Sequence, residues 1–275
     1  MRTGELGIMS MFSRLPHGMG MDVAGEIVQV GQNVSAWSVS DRVLAMSKRG
    51  NAFADFTIVD GSDLVRIPPS MSYSEAACLP MGGATAWAVA QKLAVAPGER
   101  VLVNGAGGGI GLFLVQFLVQ AGADVTATGG PQSLGELTAS GAREAVDYRK
   151  VSQAIDPHQF AKIIDMSSKW GYRDAQNLLA ATGVFYTMTP DASAVGALVR
   201  TLVSAQKMRL IFAPVTAAAV RAVVDLFIAG KLRISVGAER PLAQAIETLR
   251  EVENGQLKVV GKVVLVNEAQ KKATP

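Results

Sequence analysis

Glycines crowd one short stretch of the chain, and their spacing suits the binding of a phosphate group. The stretch runs from Val101 to Ala121 and reads VLVNGAGGGIGLFLVQFLVQA. Glycine leaves backbone amides open to an anion, and the first turn of a following helix adds unpaired N–H groups and partial positive charge. In the register Ala106-x-Gly108-x-x-Gly111, alanine replaces the first glycine of the dinucleotide fingerprint. The spacing favours a dinucleotide cradle; a merely tight turn is the alternative.

The residues around this turn predict the elements that would hold it in place. Val101–Val103 is an apolar strand, 110–120 has helical apolar spacing, and 124–128 is a second strand. Strands and helices continue to alternate afterwards. Strands are predicted at 145–147, 161–165, 183–188 and 208–212, and helices at 134–140, 172–181, 195–205, 216–230 and 242–255. The alternation predicts an α/β fold with a doubly wound parallel sheet of the Rossmann type.

The first seventy residues have a different pattern, with short strands between glycine-rich turns. Strands are predicted at 22–31, 41–45, 53–59 and 64–67, which indicates a small barrel-like β domain. Ser72 and Glu75 have capping-box spacing and predict the start of a helix, and a second helix is expected at 85–93. The apolar run at 261–266 predicts a final strand that returns to the β domain.

Composition excludes several classes of protein. The 275 residues are 49% hydrophobic and 18% charged, with a net charge of +3 and no long basic run, so no nucleic-acid surface is indicated. The most apolar helix candidate, 110–121, is too short to cross a bilayer, and no signal peptide is recognisable. A single cysteine, Cys78, excludes an internal disulfide framework. We therefore expect a cytoplasmic protein that binds neither nucleic acid nor membrane.

Four segments together resemble the zinc-independent quinone oxidoreductase branch of the medium-chain dehydrogenase/reductase superfamily. They are GMDVAGEIVQVGQNVSAWSVSDRV at 20–43, LPMGGATAW at 79–87, VLVNGAGGGIG at 101–111 and GKVVLV at 261–266. The resemblance implies a Rossmann domain, 73–234, inserted in a GroES-like catalytic domain, 1–72 with 235–275, and a nicotinamide cofactor in the cleft between them. It also implies a homodimer.

The resemblance implies further strands before Met1, so the GroES-like domain is expected to be N-terminally incomplete. A partly built barrel exposes a sheet edge, which a partner subunit or a rearranged pocket could cover. Zinc-dependent relatives place a histidine and a cysteine where this chain has Met21 and Met81. A thioether is a poor zinc ligand, and His17 and His158 lack partners at metal spacing, so we expect no metal. Cys78 is interpreted as a small buried apolar residue and not as a nucleophile.

The end of the second Rossmann strand bears on the choice of cofactor. It reads Thr126-Ala127-Thr128-Gly129-Gly130, with no carboxylate that would repel a 2′-phosphate, and so favours NADP(H). Tyr148 and Arg149 are the best remaining phosphate partners, although Arg149 could equally be an exposed loop charge. The complete set of expected cofactor contacts is Ala106, Gly108, Gly109, Ile110, Gly111, Thr128, Gly129, Gly130, Tyr148, Arg149 and Thr189.

For catalysis, the resemblance places Thr85 and Thr189 near the nicotinamide and Lys262 near the cleft. A helix cap, a loop residue and a solvated strand end are the respective alternatives. Asp165 either orients a turn near the cofactor or is structural. The expected reaction is hydride delivery from NADPH to a small quinone or α,β-unsaturated carbonyl, with no identifiable proton donor. The alternative function is a non-redox descendant, cyclase-like or merely NADP-binding, that uses a remodelled cleft.

Overall fold

The computed structural model describes residues 18–189, 196, 201 and 204–267. Within them, the strands are β1 (Asp22–Glu26), β2 (Arg42–Met46), β3 (Val65–Arg66), β4 (Arg100–Asn104), β5 (Asp124–Gly129), β6 (Glu144–Asp147), β7 (Phe160–Asp165), β8 (Leu179–Thr187), β9 (Lys207–Leu210), β10 (Val236–Pro241) and β11 (Lys262–Val266). The α-helices are α1 (Tyr73–Cys78), α2 (Thr85–Leu93), α3 (Gly111–Gln120), α4 (Leu134–Ala139), α5 (Val151–Ala154), α6 (Tyr172–Gln176), α7 (Ala217–Ile228) and α8 (Ala245–Glu253). A π-helical segment, Leu79–Ala84, joins α1 directly to α2.

A parallel sheet forms the centre of the molecule. Its described strands lie in the order β6-β5-β4-β7-β8-β9, and every neighbouring pair is parallel. Counted along the chain, this is the 3-2-1-4-5-6 order of a doubly wound Rossmann sheet. The order reverses between β4 and β7, and ligands of such sheets bind beyond the carboxyl ends of the strands at that point. The predicted α/β fold class is therefore confirmed.

Helix α3 is the most deeply buried helix beside this sheet. Its residues from Gly111 to Leu118 are all buried, because a helix that is apolar on every side is stable only inside a core. Strand β4 is equally covered, since Val101, Leu102 and Val103 are fully buried. Phe117 of α3 meets Trp87 of α2 edge to face, with ring centroids 5.5 Å apart. The glycine turn between β4 and α3 thus has a rigid element on each side.

The predicted capping box at the start of α1 is confirmed. The hydroxyl of Ser72 accepts from the backbone N–H of Glu75, and the Glu75 carboxylate accepts from the N–H of Ser72. Helix α7 begins as predicted after Thr216, whose side chain accepts from the N–H of Ala219. The helix predicted at 172–181 begins at Tyr172 as predicted, but its C-terminal half was wrong, because α6 ends at Gln176 and β8 has begun by Leu179. Leu179 pairs with β7, so sheet pairing overrides the helical propensity of this stretch. Most of the predicted helix at 195–205 lies outside the described residues.

The N-terminal β region contains the antiparallel sheet β1-β2-β3 in the part of the chain that the structure describes. The strand predicted at 53–59 is wrong, since this segment has no strand structure. Phe56 and Ile58 are 66% and 80% exposed there. Alternating apolar residues adopt a regular strand only where a neighbouring strand supplies hydrogen bonds, and no described strand pairs with this segment.

Strands β10 and β11 pair in parallel with each other and form a separate ribbon. The expected return of the last strand to the β domain occurs through side chains: Asn267 Nδ2 donates to Asp55 Oδ1 at 2.6 Å. The ribbon is also tied to α3, because the amide of Gln116 bonds both the carbonyl and the N–H of Arg233. Gly261, directly before β11, forms a β-bridge with Gly108 and holds the start of β11 beside the glycine turn.

Candidate cofactor cleft and active site

The glycine turn lies at the carboxyl end of β4, at the point where the strand order reverses. A Cβ on Gly108 would meet no atom within 4 Å, so a ligand can approach its backbone closely. A Cβ on Gly111 would lie 2.5 Å from both Cα and O of Ala106, which explains why the first turn of α3 requires glycine. The positive φ in this turn belongs to Gly105, at +73°, which was not among the predicted contacts.

A buried polar network supports the turn from beneath. Thr128 Oγ1 donates to Asn104 Oδ1 at 2.6 Å and accepts from Gly105 N at 3.1 Å. Asn104 Nδ2 donates to Asp165 Oδ1 at 2.8 Å, and Asp165 accepts from the N–H and hydroxyl of Ser167. Thr128 therefore positions the cradle from a fully buried site, and Asp165 orients the turn after β7. Sequence reasoning missed Asn104, although a polar residue ending an apolar strand is a usable signal.

The loop after β5 packs directly against the glycine turn. A Cβ on Gly129 or on Gly107 would overlap the Ser133 side chain, so both glycines allow this packing. Ser133 is buried, and its hydroxyl donates to the carbonyl of Gly130 at 2.8 Å. The predicted contacts Gly129 and Gly130 are thus brought beside the cradle, and Ser133 is a supporting residue that the sequence did not reveal.

Arg149 lies at the end of β6, where its guanidinium is engaged by a carboxylate. Arg149 Nη2 donates to Asp147 Oδ2 at 2.6 Å, and Nε donates to Asp147 Oδ1 at 3.0 Å. The guanidinium lowers the pKa of Asp147 to about 2. Asp147 is the register partner of Gly129 at the end of β5, while Tyr148 is 58% exposed. Arg149 and Tyr148 were predicted as phosphate partners, but the Asp147 carboxylate that binds Arg149 was not predicted.

A cavity of about 440 Å³ connects the glycine turn with the β region. Gly109 and Ile110 line it from the turn, Met81 and Gly82 from the π-helical segment, and further walls come from β11 and one face of α8. The lining is largely apolar. It therefore offers a partly open space for a small apolar molecule next to the predicted cofactor cradle.

Lys262 extends into this cavity and forms an ion pair with Asp22. The second oxygen of Asp22 accepts from the backbone N–H of Met81 at 2.8 Å. Burial lowers the pKa of Lys262 to about 8, while the carboxylate of Asp22 favours the charged ammonium. A Cβ on Gly109 would lie 3.3 Å from Lys262 Cβ, and Gly261 bridges to Gly108. Lys262, which was predicted near the cleft with a solvated strand end as the alternative, is thus a largely buried side chain beside the cradle.

The two predicted threonines occupy different environments. Thr85 begins α2 just after the π-helical segment, and its hydroxyl is the only buried side-chain N or O atom among the described residues without a hydrogen-bond partner. Thr189 follows the carboxyl end of β8, on the same sheet edge as the glycine turn, and its hydroxyl donates to Ser168 Oγ at 2.8 Å. A buried hydroxyl without a partner is costly, so Thr85 has a hydrogen bond to offer a bound molecule.

The residues fit a dinucleotide but not a zinc ion. A dinucleotide suits the open glycine, the first turn of α3 and the buried hydroxyl of Thr85, which has no partner among the described residues. At the positions that would hold zinc, Met21 and Met81 offer only thioethers. Within the described ranges, no group of three or more His, Cys, Asp or Glu is arranged to hold a metal. His17 lies outside those ranges. Cys78 is fully buried, which raises its pKa to about 12.

None of the helices in the described part of the chain is both long and apolar enough to span a bilayer.

Family models match most of the chain. The alcohol dehydrogenase GroES-like domain matches residues 1–101, and the zinc-binding dehydrogenase family matches residues 140–265. The quinone oxidoreductase QR1 of the chloroplast of Triphysaria versicolor is 27% identical over 258 residues, which cover 89% of this chain and 78% of that protein.

Two further similarities differ in coverage. The polyketide synthase GfsB of Streptomyces halstedii is 39% identical over 127 residues; the match spans 46% of this chain but only 2% of the synthase. The structure of a mycobacterial protein complexed with NADPH superposes with a TM-score of 0.78 at 23% identity, covering 97% of this chain and 86% of that one. Sequence models, relatives and fold therefore agree: the chain belongs to the medium-chain dehydrogenase/reductase superfamily of oxidoreductases and is quinone oxidoreductase-like.

Proposed function

We propose that the protein is an NADPH-dependent, zinc-independent reductase that delivers hydride to a quinone or an α,β-unsaturated carbonyl. The observation that carries the proposal is the cavity of about 440 Å³ that touches both the glycine turn and the β region. An electron-poor substrate bound there lies next to the cofactor cradle, shielded by apolar walls. The relatives named as quinone oxidoreductases support a quinone as the acceptor.

The cradle supplies binding and orientation. Gly108 admits the pyrophosphate to the backbone, and the first turn of α3 favours its negative charge. Thr85 and Thr189 are proposed to contact the nicotinamide, where the Thr85 hydroxyl would gain the partner it lacks among the described residues. When bound, the reduced nicotinamide supplies the hydride. The residues of this chain hold the reacting groups together and exclude water.

NADPH is proposed as the preferred cofactor because strand β5 ends in glycines. Asp147, the nearest carboxylate in register, is already neutralised by Arg149. The exposed side of Arg149, together with Tyr148, is then available to a 2′-phosphate. The mycobacterial structure complexed with NADPH gives further support.

The purified protein tests the proposal directly. NADPH and NADH are titrated separately, and absorbance of the reduced nicotinamide is followed with a panel of quinones and enones, before and after dialysis against a chelator. We expect turnover with NADPH that survives chelation. Tighter binding of NADH would refute the cofactor preference, and loss of activity with the chelator would refute zinc independence. Binding of NADPH without turnover on any acceptor would instead favour a non-redox function.

We also propose a homodimer formed through the β9 edge of the sheet, and a cytoplasmic location. Leu210 in β9 and Phe212 just after it are 50% and 76% exposed, and an exposed edge strand can pair with another. The unpaired, buried Cys78 is consistent with a reducing compartment. A monomeric mass in light scattering would refute the dimer.

A further inference from the structure

We propose that Lys262 is the proton donor of the reaction and that Asp22 is the positioning residue that holds its ammonium group in the cavity. This inference rests on the proposed function, because hydride addition to a carbonyl-conjugated acceptor leaves an oxyanion that must gain a proton. No donor was identifiable from the sequence. The structure brings together two residues 240 positions apart at the wall of the cavity.

The Asp22 carboxylate is fixed from two sides. One oxygen accepts from the Lys262 ammonium, and the other accepts from the backbone N–H of Met81 at 2.8 Å. The Asp22 and Lys262 side chains are 13% and 24% exposed, so the pair is largely shielded yet remains open to the cavity. A carboxylate held in this way restricts the ammonium to one region, which is what a proton donor needs.

The other walls offer no comparable acid. Apart from Asp22 and Lys262, the described lining residues are glycine, aliphatic, Met81, Phe53 and the hydroxyl of Thr248. Among the described lining residues, none that comes from α8, from the π-helical segment or from the glycine turn is titratable. A threonine hydroxyl is a far weaker acid than an ammonium group. The Lys262 ammonium is therefore the group among these residues that can give up a proton near neutral pH.

Lys262 is also close to the cofactor cradle. A Cβ on Gly109 would lie 3.3 Å from Lys262 Cβ, and Gly261 N donates to the carbonyl of Gly107 at 3.2 Å. The amine is thus anchored at the boundary between the cradle and the substrate space, where a proton must arrive after hydride transfer.

The step balances as follows. As hydride adds to the electrophilic carbon of the acceptor, the π-electron pair moves to the carbonyl oxygen. An N–H bond of Lys262 breaks, an O–H bond forms, and a neutral amine remains beside Asp22. A proton from solvent then restores the ammonium, so each turnover consumes one reduced nicotinamide and one proton. Because burial lowers the pKa of Lys262 to about 8, the ammonium predominates at pH 7 but releases its proton more readily than an exposed lysine.

The test compares Lys262→Ala and Asp22→Asn with Lys162→Ala. Lys162 is a matched control, because its ion pair with Glu99 at 2.8 Å is similarly shielded but lies outside the cavity lining. For each protein, kcat/KM is measured against pH, NADPH affinity is titrated, and thermal melting verifies folding. Acetic anhydride labelling of the cofactor-free protein, read by mass spectrometry against pH, reports the titration of Lys262 independently of activity.

We expect labelling of Lys262 to rise near pH 8 and the wild-type rate to fall over the same range. Asp22→Asn removes the opposite charge and should shift both transitions to lower pH. Lys262→Ala should reduce kcat by about 100- to 10,000-fold with NADPH affinity little changed, as for loss of a general acid. Methylammonium added to Lys262→Ala should restore part of the rate, which it cannot do for a residue that acts only structurally.

Three results would overturn the assignment. The first is a near-normal kcat and pH profile for Lys262→Ala. The second is weakened NADPH binding with unchanged kcat, which would make Lys262 a phosphate contact. The third is an equal loss of kcat in Lys162→Ala, which would show that the loss of any shielded ion pair has this effect. Absence of turnover by the wild-type protein with any acceptor would overturn the proposed function, and this assignment with it.

Discussion

Two glycines of the cradle should respond to alanine in opposite ways, because one is closed by packing and the other is open. A methyl group on Gly111 would lie 2.5 Å from the Cα and O of Ala106, whereas ordinary contact begins at 3.4 Å. The obstructing atoms are backbone and cannot rotate away, so α3 or the turn must move by almost 1 Å. A methyl group on Gly108 would meet nothing within 4 Å.

The expected magnitudes follow from these distances. Overpacking of this kind costs about 1–3 kcal/mol, so Gly111→Ala should lower Tm by roughly 2–12 °C for a chain of this size. Gly108→Ala should melt like the wild type but occupy the space through which the pyrophosphate approaches. A loss of about 1.4 kcal/mol there would weaken NADPH binding tenfold.

Differential scanning fluorimetry without cofactor and NADPH titration by fluorescence separate the two effects. Gly111→Ala should show a reduced Tm, whereas Gly108→Ala should show a normal Tm and weakened NADPH binding. Wild-type NADPH affinity in Gly108→Ala would refute the placement of the phosphate on this turn. An unchanged Tm in Gly111→Ala would refute the packing argument, whatever happens to the cofactor.

Three further predictions concern single side chains. Thr85→Val removes a buried hydroxyl that has no partner among the described residues, so the cofactor-free variant should melt no lower than the wild type, whereas NADPH should raise its Tm less than it raises that of the wild type. The control Thr187→Val loses a hydrogen bond from the backbone N–H of Thr189 and should melt lower. Arg149→Gln should reduce the preference for NADPH over NADH and raise the pKa of Asp147 from about 2 toward its usual value. The wild type should lose the stability supplied by this ion pair as pH falls from about 4 to about 2, whereas the variant should lack that contribution and show less pH dependence over this range, as NMR titration and acid melts can detect. Asn104→Ala removes one hydrogen-bond partner from the buried Asp165 carboxylate and one from the Thr128 hydroxyl, and should lower the urea unfolding free energy by about 1–3 kcal/mol; a loss below measurement error would contradict the supporting role of this network.

Local patterns in the sequence were sufficient for elements held by nearby residues. The Ser72 capping box joins atoms three residues apart, so its spacing alone predicts it. The apolar runs of β4 and α3 predict burial, because such residues are stable only inside a core. Prediction failed at Leu179, which forms a strand because it pairs with β7. It also failed at 53–59, which forms no strand because no described strand pairs with it.

The sequence by itself determined the strand–turn–helix unit, the order of alternating strands, the family resemblance and the residues that line the turn. Only the tertiary structure decided which distant polar side chains contact each other. Asp22 and Lys262 are 240 residues apart, and Asn104 and Asp165 are 61 apart. No periodicity links such positions, because their contact depends on where the sheet, the ribbon and the π-helical segment pack against one another. The glycine turn was therefore predictable from the sequence, whereas the Asp22–Lys262 ion pair beside it, which we propose as the proton donor and its positioning residue, depends on the tertiary structure.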